Sequence, residues 1–262
     1  MSERPASVSS RPELTLSGRV RLLEVDPELG SRLSGEELAR ARESAMVPAL
    51  HLTQGRWDIQ QLRRARGVRG GVYGFVLASG AITLDVSLGA RTATRALARG
   101  ELILLDGWDN DTLPARWGWT VLEPSTIGVI DERLELIAQR WPKLMTSLVI
   151  RAADQARHAM LQQAISQLPR VEDRLLAAMW SLADTRGVVR QDGILVPLSL
   201  THEALAQMVG ARRPTVSLGL KALSMRGLLR ATAEGWVIAR DSLDGFLADD
   251  PGSRNGCVDP PD

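Results

Sequence analysis

Side chains that can donate hydrogen bonds to phosphate groups and to base edges are concentrated between residues 201 and 221. Arginine carries a planar fork of donors that fits a phosphate or a guanine edge, and lysine and hydroxyl groups also contact phosphates. From residue 199 to residue 230, five basic side chains stand against one acidic side chain, Glu203. Because the net charge of the whole chain is only +1, this local excess predicts a surface for nucleic acid. The candidate contact residues from this argument are the basic Arg212, Arg213 and Lys221 and the hydroxyl-bearing Thr215 and Ser217.

Two short helices joined by a tight turn are predicted to position these side chains. Thr201 can cap the first helix, and Gly210 can end it because glycine readily takes the left-handed conformation. Pro214 suits the first turn of a second helix, in which Val216 and Leu220 share one side and the polar residues face away from them. This spacing is typical of a helix-turn-helix that reads DNA.

The residues after the second helix predict a pair of strands. Residues 227–232 and 235–239 are apolar stretches joined by a polar turn, which is the pattern of the wing in a winged helix. A three-helix core whose charged face is merely solvated is the alternative interpretation of the same residues. Clustering of the basic residues on this segment favours the DNA-binding interpretation.

A long helix is predicted before this segment. Residues 131–141 suit a short helix, and residues 143–168 continue without glycine or proline after Pro142, which fits a first helical position. Apolar and small side chains recur along it at heptad spacing, so that a partner helix could approach closely. Packing of this face on the chain's own barrel is the alternative. The heptad residues are Met145, Val149, Ala152, Ala156 and Ala159.

The region from residue 70 to residue 131 is predicted to be β structure, preceded by a helix between residues 34 and 46 that Ser34 and Glu37 would cap. Short apolar stretches recur about every ten residues and are separated by glycine-containing turns. This pattern predicts an antiparallel barrel or roll. The turns are expected at Ser79-Gly80, Leu88-Gly89 and Arg99-Gly100.

The composition excludes several classes of protein. With 44% hydrophobic and 24% charged residues the chain can bury a core, whereas residues 1–12 and 248–262 suit disordered tails. No apolar run approaches the roughly 20 residues that cross a bilayer, and the start lacks the apolar stretch of a signal peptide. A soluble cytoplasmic protein is therefore expected. The single cysteine, Cys257, excludes a disulfide framework, a cysteine-held zinc site and an iron–sulfur cluster.

The residues from Leu200 to Ser217, with the wing after them, resemble the DNA-binding domain of the cyclic-AMP receptor protein/Fnr (Crp/Fnr) family of bacterial transcription regulators. The other segments follow the family's order: a β-roll sensor, Trp141-Pro142, a long helix and the stretch from Pro169 to Leu176. The resemblance covers about residues 14 to 246. It implies an α+β fold with an N-terminal antiparallel β-roll of the cyclic-nucleotide-binding type, a long dimerisation helix and a C-terminal winged helix-turn-helix.

The same resemblance implies the partners. The chain would form a homodimer through residues 141–168 and place a recognition helix from each subunit in successive major grooves of double-stranded DNA. Palindromic promoter sites and contact with RNA polymerase are expected, and binding to a membrane is not expected. The predicted segments are a tail at 1–12, the β-roll sensor at 13–140, the dimerisation helix at 141–168, the winged helix at 169–247 and an acidic tail at 248–262.

Individual contacts also follow from the resemblance. Arg213 falls on a base-reading position of the nucleotide-responsive branch, and Ser217 falls on one of the Fnr branch. Pro214 stands where both branches usually carry a base-reading Glu, and Leu218 stands where they carry Arg. A different half-site is therefore expected, with Leu218 against a thymine methyl. Positions near the family's phosphate contacts hold Thr201, His202, Thr215 and Lys221.

The sensor segment departs from the family where a cyclic nucleotide is held. Roughly Leu104-Leu105 replaces the family's Gly-Glu pair, and about Ala159-Met160 replaces the purine-facing pair of the long helix. Arg116 stands at the family's arginine position but is followed by Trp117-Gly118. A buried phosphate would lack partners, so cyclic AMP is not expected to bind in the usual way. A small organic effector, a cyclic nucleotide and no effector at all stay open.

Aromatic and charged residues near the expected pocket are the candidate ligand-binding residues. Three tryptophans lie within twelve residues and could stack on a planar ligand. Indoles that fill an irregular core are the alternative, and the carboxylates around Asp109 suit a polar turn better than a cation site. The candidates are Trp108, Asp109, Arg116, Trp117 and Trp119.

The sequence thus predicts a dimeric, sequence-specific DNA-binding transcription regulator with a degenerate or repurposed sensor. A ligand-binding or protein-docking module whose winged helix no longer reads DNA specifically is the alternative. No Ser/His/Asp, Cys/His or paired-carboxylate set falls on the predicted surface, so an enzyme is not expected. The three histidines, His51, His158 and His202, are scattered, and neither haem nor a metal site is expected.

Overall fold

The computed structural model describes residues 15–58, 62, 71–105 and 112–242. No described helix is both long enough and apolar enough to cross a membrane. The chain divides into two compact units, of which the first comprises Met1–Leu84 and Arg99–Ala152 and the second comprises Asp85–Ala98 and Ala153–Asp262.

The elements are numbered in chain order. The strands are β1 (Thr15–Arg21), β2 (Met46–Leu52), β3 (Gly55–Asp58), β4 (Val72–Leu88), β5 (Arg91–Ala96), β6 (Leu102–Leu104), β7 (Arg116–Asp131), β8 (Val188–Arg190), β9 (Gly193–Val196), β10 (Leu229–Thr232) and β11 (Gly235–Ile238). The α-helices are α1 (Leu22–Val25), α2 (Gly35–Ser44), α3 (Arg133–Arg140), α4 (Pro142–Gln167), α5 (Val171–Arg186), α6 (His202–Met208) and α7 (Arg213–Met225).

The N-terminal sheet has the order β1-β2-β7-β4-β5, with β3 also paired to β7 and β6 to β4. The pairs β1–β2, β2–β7, β3–β7 and β4–β6 are antiparallel. The antiparallel β domain expected from the recurring apolar stretches is therefore confirmed, as is the α+β class of the whole chain.

One predicted turn is wrong. At Ser79-Gly80 the chain does not reverse, and β4 continues through these residues as one strand of 17 residues. Gly80 has a φ of +89°, and a Cβ there would lie 2.6 Å from the Cα of Ser125 on β7. Glycine at this position therefore serves close approach of β4 to β7.

The core of the first unit lies between the sheet and helices α1 to α4. Helix α2 begins with the predicted capping box, in which the Glu37 N–H donates to Ser34 Oγ and the Ser34 N–H donates to Glu37 Oε2. Trp141, Leu144 and Leu148, at and after the start of α4, are buried in the same cluster as the strand residues. Burial of these side chains holds the beginning of α4 on the sheet.

A partly buried ion pair also attaches α4 to the N-terminal segment. Asp26 is only 5% exposed, and its Oδ2 accepts from Arg151 Nε at 2.8 Å and from Arg151 Nη2 at 2.5 Å. The same guanidinium donates to Glu28 Oε2 at 3.0 Å. A buried carboxylate needs such donors because it has lost its water.

The second unit contains an antiparallel sheet with the order β10-β11-β9-β8, together with α5, α6 and α7. Strands β10 and β11 are the predicted wing. Strands β8 and β9 were not predicted, because they have only three and four residues.

The predicted helices before the second unit are present as α3 and α4. Val149 is 65% exposed, Ala156 and Ala159 are exposed, and Met145 and Ala152 are partly exposed. Residues of α4 contribute to both compact units. The division of the chain into five segments stays a prediction.

Candidate nucleic-acid interface

Helix α6 begins where the sequence places its cap. Thr201 has extended backbone angles, and its Oγ1 accepts a hydrogen bond from the Ala204 N–H at 3.1 Å. This bond satisfies one of the N–H groups that a helix start leaves without a partner. Leu205, Ala206 and Met208 are buried on the inner side of the helix.

The turn after α6 is a glycine-ended helix terminus, as predicted. Gly210 has a φ of +63°, and the N–H of Ala211 donates to the carbonyl of Ala206 at 2.9 Å. This six-residue bond is the mark of a Schellman motif, which redirects the chain at once into the next helix. Val209 is completely buried beside it. The Arg174 side chain donates to the Val209 carbonyl at 3.0 Å and so fastens the turn to α5, a contact that the sequence did not reveal.

Helix α7 packs its apolar side closely on the rest of the unit. Val216, Leu220 and Leu223 are buried, as their spacing predicts. Gly219 is buried with them, and a Cβ there would lie 3.1 Å from Leu175 Cδ1 on α5. The absence of a side chain on Gly219 allows α5 and α7 to approach each other. This contact joins segments far apart in the chain, so the local sequence pattern does not reveal it.

The opposite side of α7 carries most of the candidate contact residues. Leu218 is 69% exposed, although it lies between buried Val216 and Leu220 in sequence. Helical geometry explains this, since successive residues point about 100° apart around the axis. The exposed candidates on this side are Arg212, Arg213, Pro214, Thr215, Leu218 and Lys221.

Two of the predicted contact residues bind each other. His202 Nδ1 lies 2.9 Å from Ser217 Oγ, and the Ser217 hydroxyl donates to the Arg213 carbonyl at 3.1 Å. Because the hydroxyl has one proton, His202 Nδ1 is then the donor to Ser217. The pair links the start of α6 to the second turn of α7. Ser217 therefore has an acceptor lone pair, rather than a donor, for a further partner.

The charge of this surface is positive, but less so than the count of residues suggests. Arg230 on β10 pairs with Asp192 at 2.5 Å. Arg212, Arg213, Lys221 and Arg226 make no ion pair with any residue that the structure describes. Four cations around α7 thus have their charge available, whereas the wing arginine is neutralised.

Helix α6 contacts residues 85–98, which comprise the end of β4 and all of β5 and belong to the same compact unit. Thr94 is buried, with its Oγ1 2.9 Å from Gln207 Oε1 and 2.8 Å from Asp85 Oδ1. Arg186 of α5 donates to the carbonyl of Leu97. Nothing in the local sequence pattern of residues 85–98 indicates this contact, because it depends on how distant segments pack.

The candidate ligand residues of the first unit lie in different surroundings. Trp119 is 1% exposed and stacks edge-on against Phe75, with ring centroids 5.2 Å apart and an interplanar angle of 83°. It also stands opposite Trp57 across β3 and β7. The indole N–H of Trp119 has no hydrogen-bond partner among the residues that the structure describes. Trp119 thus packs in the core, and its place in a ligand pocket stays a prediction.

Arg116 and Trp117 are arranged differently from Trp119. Arg116 is exposed at the start of β7, and Trp117 is partly buried. Trp108 and Asp109 lie outside the described residues.

Leu105, which stands about where the resemblance predicts the ribose-binding carboxylate, is completely buried. Among the described residues, no group of three or more His, Cys, Asp or Glu side chains could hold a metal ion.

Comparisons with known proteins identify a domain within the second unit and the fold of the chain. Residues 173–243 match the Crp-like helix-turn-helix domain. A search of the curated proteins finds no significant match. Among solved structures, a CooA variant from Carboxydothermus hydrogenoformans is 18% identical with a TM-score of 0.58, covering 88% of this chain and 95% of that chain. FixK2 from Bradyrhizobium japonicum is 14% identical with a TM-score of 0.58, covering 77% and 96%.

A third similar structure is that of a CRP-family transcriptional regulator from Thermus thermophilus. It is 18% identical with a TM-score of 0.53, covering 74% of this chain and 93% of that chain. Identities of this size show a common fold. The chain therefore contains a Crp-like helix-turn-helix domain, and its fold is that of solved CRP/FNR-family transcriptional regulators.

Proposed function

We propose that this protein is a sequence-specific transcription regulator that binds palindromic promoter sites as a homodimer and reads each half-site with α7. The observation that carries the proposal is the exposed side of α7, where Arg212 and Arg213 lie at the N-terminus of a Crp-like recognition helix without carboxylate partners among the described residues. RNA polymerase is the second partner that this function requires, and the cytoplasm is where it would act.

The dimensions of α7 support insertion into the major groove. A helix of 13 residues is about 20 Å long, and the groove of B-DNA is about 12 Å wide and admits one helix. Arg213 reads a base edge, most favourably a guanine, through its donor fork. Leu218 projects from the same side and contacts a thymine methyl. Pro214 contributes no donor from its backbone, so the first turn reads fewer bases than a Glu at this position would.

Phosphate contacts orient the helix. Thr201, His202, Thr215 and Lys221 surround the base-reading residues at the ends and flank of the two helices. The hydrogen bond between His202 and Ser217 holds these two groups together. Contacts to phosphates determine how the helix enters the groove but carry no sequence information of their own.

Dimerisation is supported by the exposed face of α4. Val149, Ala156 and Ala159 leave a row of small and apolar side chains uncovered at heptad spacing. A second copy of α4 would bury this row by coiled-coil packing. Two recognition helices would then read half-sites about one turn of DNA apart.

The sensor is proposed to respond to something other than cyclic AMP bound in the usual way. Leu105 is buried where a ribose-binding carboxylate is expected, and Trp119 and Phe75 fill part of the interior of the β domain. A buried leucine offers no acceptor to a ribose hydroxyl.

Selection of binding sites from random duplexes, with and without cyclic AMP, tests the function. The expected result is an enriched palindrome whose half-sites and spacing do not depend on cyclic AMP. The Arg213→Ala variant should lose preference at one base pair of each half-site. Absence of any enriched sequence would instead support a protein-docking module, for which exposed Leu218 and Met225 on α7 would be the contact residues.

A further inference from the structure

A cavity of about 350 Å³ lies in the first unit, and none of the residues proposed to contact DNA lines it. Three arginines line it, namely Arg19, Arg21 and Arg99, together with a single carboxylate residue, Glu24. A pocket of this size is at the small end of the range for ligand sites, which is roughly 300–1,000 Å³.

Strand geometry directs two of the arginines to the same side. Arg19 and Arg21 are separated by one residue on β1, and Val20 between them is buried. Because side chains alternate along a strand, burial of Val20 places both arginines on the outward face. Arg99 lines the cavity from the turn before β6, in a part of the chain far from β1.

Glu24 orients two of the three guanidinium groups. Arg21 Nη1 lies 2.9 Å from Glu24 Oε1, and Arg99 Nη2 donates to the Glu24 backbone carbonyl at 2.8 Å. The Arg19 guanidinium makes no hydrogen bond or ion pair with any described residue. The cavity therefore has two cations that are already positioned and a third whose donors are free.

The charge and the lining together indicate the class of ligand. Three guanidiniums and one carboxylate leave two positive charges, and the remaining wall includes Met46 and Ala78, which are apolar and largely shielded from water. A phosphate monoester has a second pKa of about 6 and so carries close to two negative charges at pH 7. Its tetrahedral oxygens accept from several guanidinium forks at once.

We propose that this cavity binds a small phosphate-bearing molecule, with Arg19, Arg21 and Arg99 as the groups that hold the phosphate dianion. The proposal does not rest on the DNA-binding function. Arg19 supplies the donors that are free in the structure, and Arg99 is the residue whose position depends on the fold rather than on neighbours in sequence.

Met46 provides a reporter inside the cavity, and Met208 on α6 provides one outside it. The full chain is labelled with ¹³C at the methionine methyl groups, and Met46→Leu assigns the resonance. Inorganic phosphate is added at constant ionic strength, with sodium chloride as the balancing salt. The expected result is a saturable shift of the Met46 methyl and none of the Met208 methyl. Arg19→Gln and Arg99→Gln should each raise the Kd at least tenfold.

Arg42→Gln is the matched control, because Arg42 is an exposed arginine of the same unit on α2, outside the cavity. It should leave the titration unchanged. A Met46 shift that does not saturate, or that weakens equally in Arg42→Gln, would overturn the proposal. So would an equal response to citrate, which would identify a carboxylate site. A shift confined to Met208, which lies outside the cavity, would equally refute the cavity as the phosphate site.

Discussion

Arginines of the two units stand in opposite surroundings. In the first unit, Arg151 is partly buried and donates to both Asp26 and Glu28. In the second, Arg212 and Arg213 are exposed at the start of α7, with no carboxylate partner among the described residues. A guanidinium bound by two carboxylates stabilises the fold and is unavailable to a ligand, whereas an exposed unpaired one adds little stability and can bind an anion.

The difference shows why a count of arginines predicts function poorly. The chain has 32 Lys and Arg residues, and only Lys143 and Lys221 are lysines. Arg230 lies in the basic segment but pairs with Asp192, so it belongs with the structural cations. The position of carboxylates in the fold therefore separates cations that hold the structure from cations that can meet DNA or a small anion.

The largest expected effect is on folding. Arg151→Met should lower the free energy of unfolding of the first unit by about 3 kcal/mol, because it leaves the buried Asp26 carboxylate without its charged donors. Urea denaturation followed by circular dichroism measures this change. Arg40→Met is the control: its partner Glu36 is exposed, so the change should stay within about 0.5 kcal/mol. Equal losses in the two variants would remove the distinction between buried and exposed ion pairs.

At α7, an effect on DNA binding is expected without an effect on folding. Arg213→Ala should cost about 1–3 kcal/mol of DNA-binding free energy and relax the preference at one base pair, with no loss of folding stability. Fluorescence anisotropy with a set of single-base-pair variants of the selected site measures both affinity and preference. A loss that is uniform over all sequences would reassign Arg213 to a phosphate.

A smaller effect, uniform over sequences, is expected for the lysine of α7. Lys221→Ala should weaken binding to every duplex alike and reduce the slope of log affinity against log salt by about one, since one phosphate contact is removed. Titrations at several salt concentrations determine the slope. An unchanged slope would show that Lys221 does not contact the backbone.

The smallest effect concerns an exposed ion pair of the first unit. The Ser34 backbone N–H, followed by the Lys143 side chain, lowers the pKa of Glu37 from 4.5 to about 2. A carboxylate with a lowered pKa stabilises the fold above pH 4.5, and this stabilisation is lost as the pH falls toward 2. The Tm difference between the wild type and Glu37→Gln should therefore be constant above pH 5 and shrink below 4.5. A difference that does not vary between pH 7 and pH 2 would contradict this assignment.

The helix-turn-helix could be predicted closely because its determinants are local. The cap at Thr201, the left-handed Gly210 and the burial of Val216 each depend on residues within one or two turns. Helix α2 was predicted for the same reason, since Ser34 and Glu37 are three residues apart. Periodicity and capping act at this range, so a single sequence reveals them.

Predictions that depended on distant segments were less successful. Ser79-Gly80 has the composition of a turn, yet Gly80 allows β4 to lie close to β7. The partner of Trp119 is Phe75, and composition alone could not distinguish a stacked core pair from a ligand platform. Strands β8 and β9 are too short to show a period of two. The close approach at Gly80 and the pairing of Trp119 with Phe75 each depend on a contact between residues far apart in the chain.

The sequence alone therefore determined most of the helices and strands and the positions of the exposed candidates on α7. Caps, turns and helical periods depend on residues that are close together in the chain. Only the tertiary structure decided which cations are neutralised, that Gly219 allows α5 and α7 to pack closely, and that Arg99 joins Arg19 and Arg21 around one cavity. The physical reason is that ion pairing, packing and cavity formation depend on distances in space, which spacing along the chain does not specify.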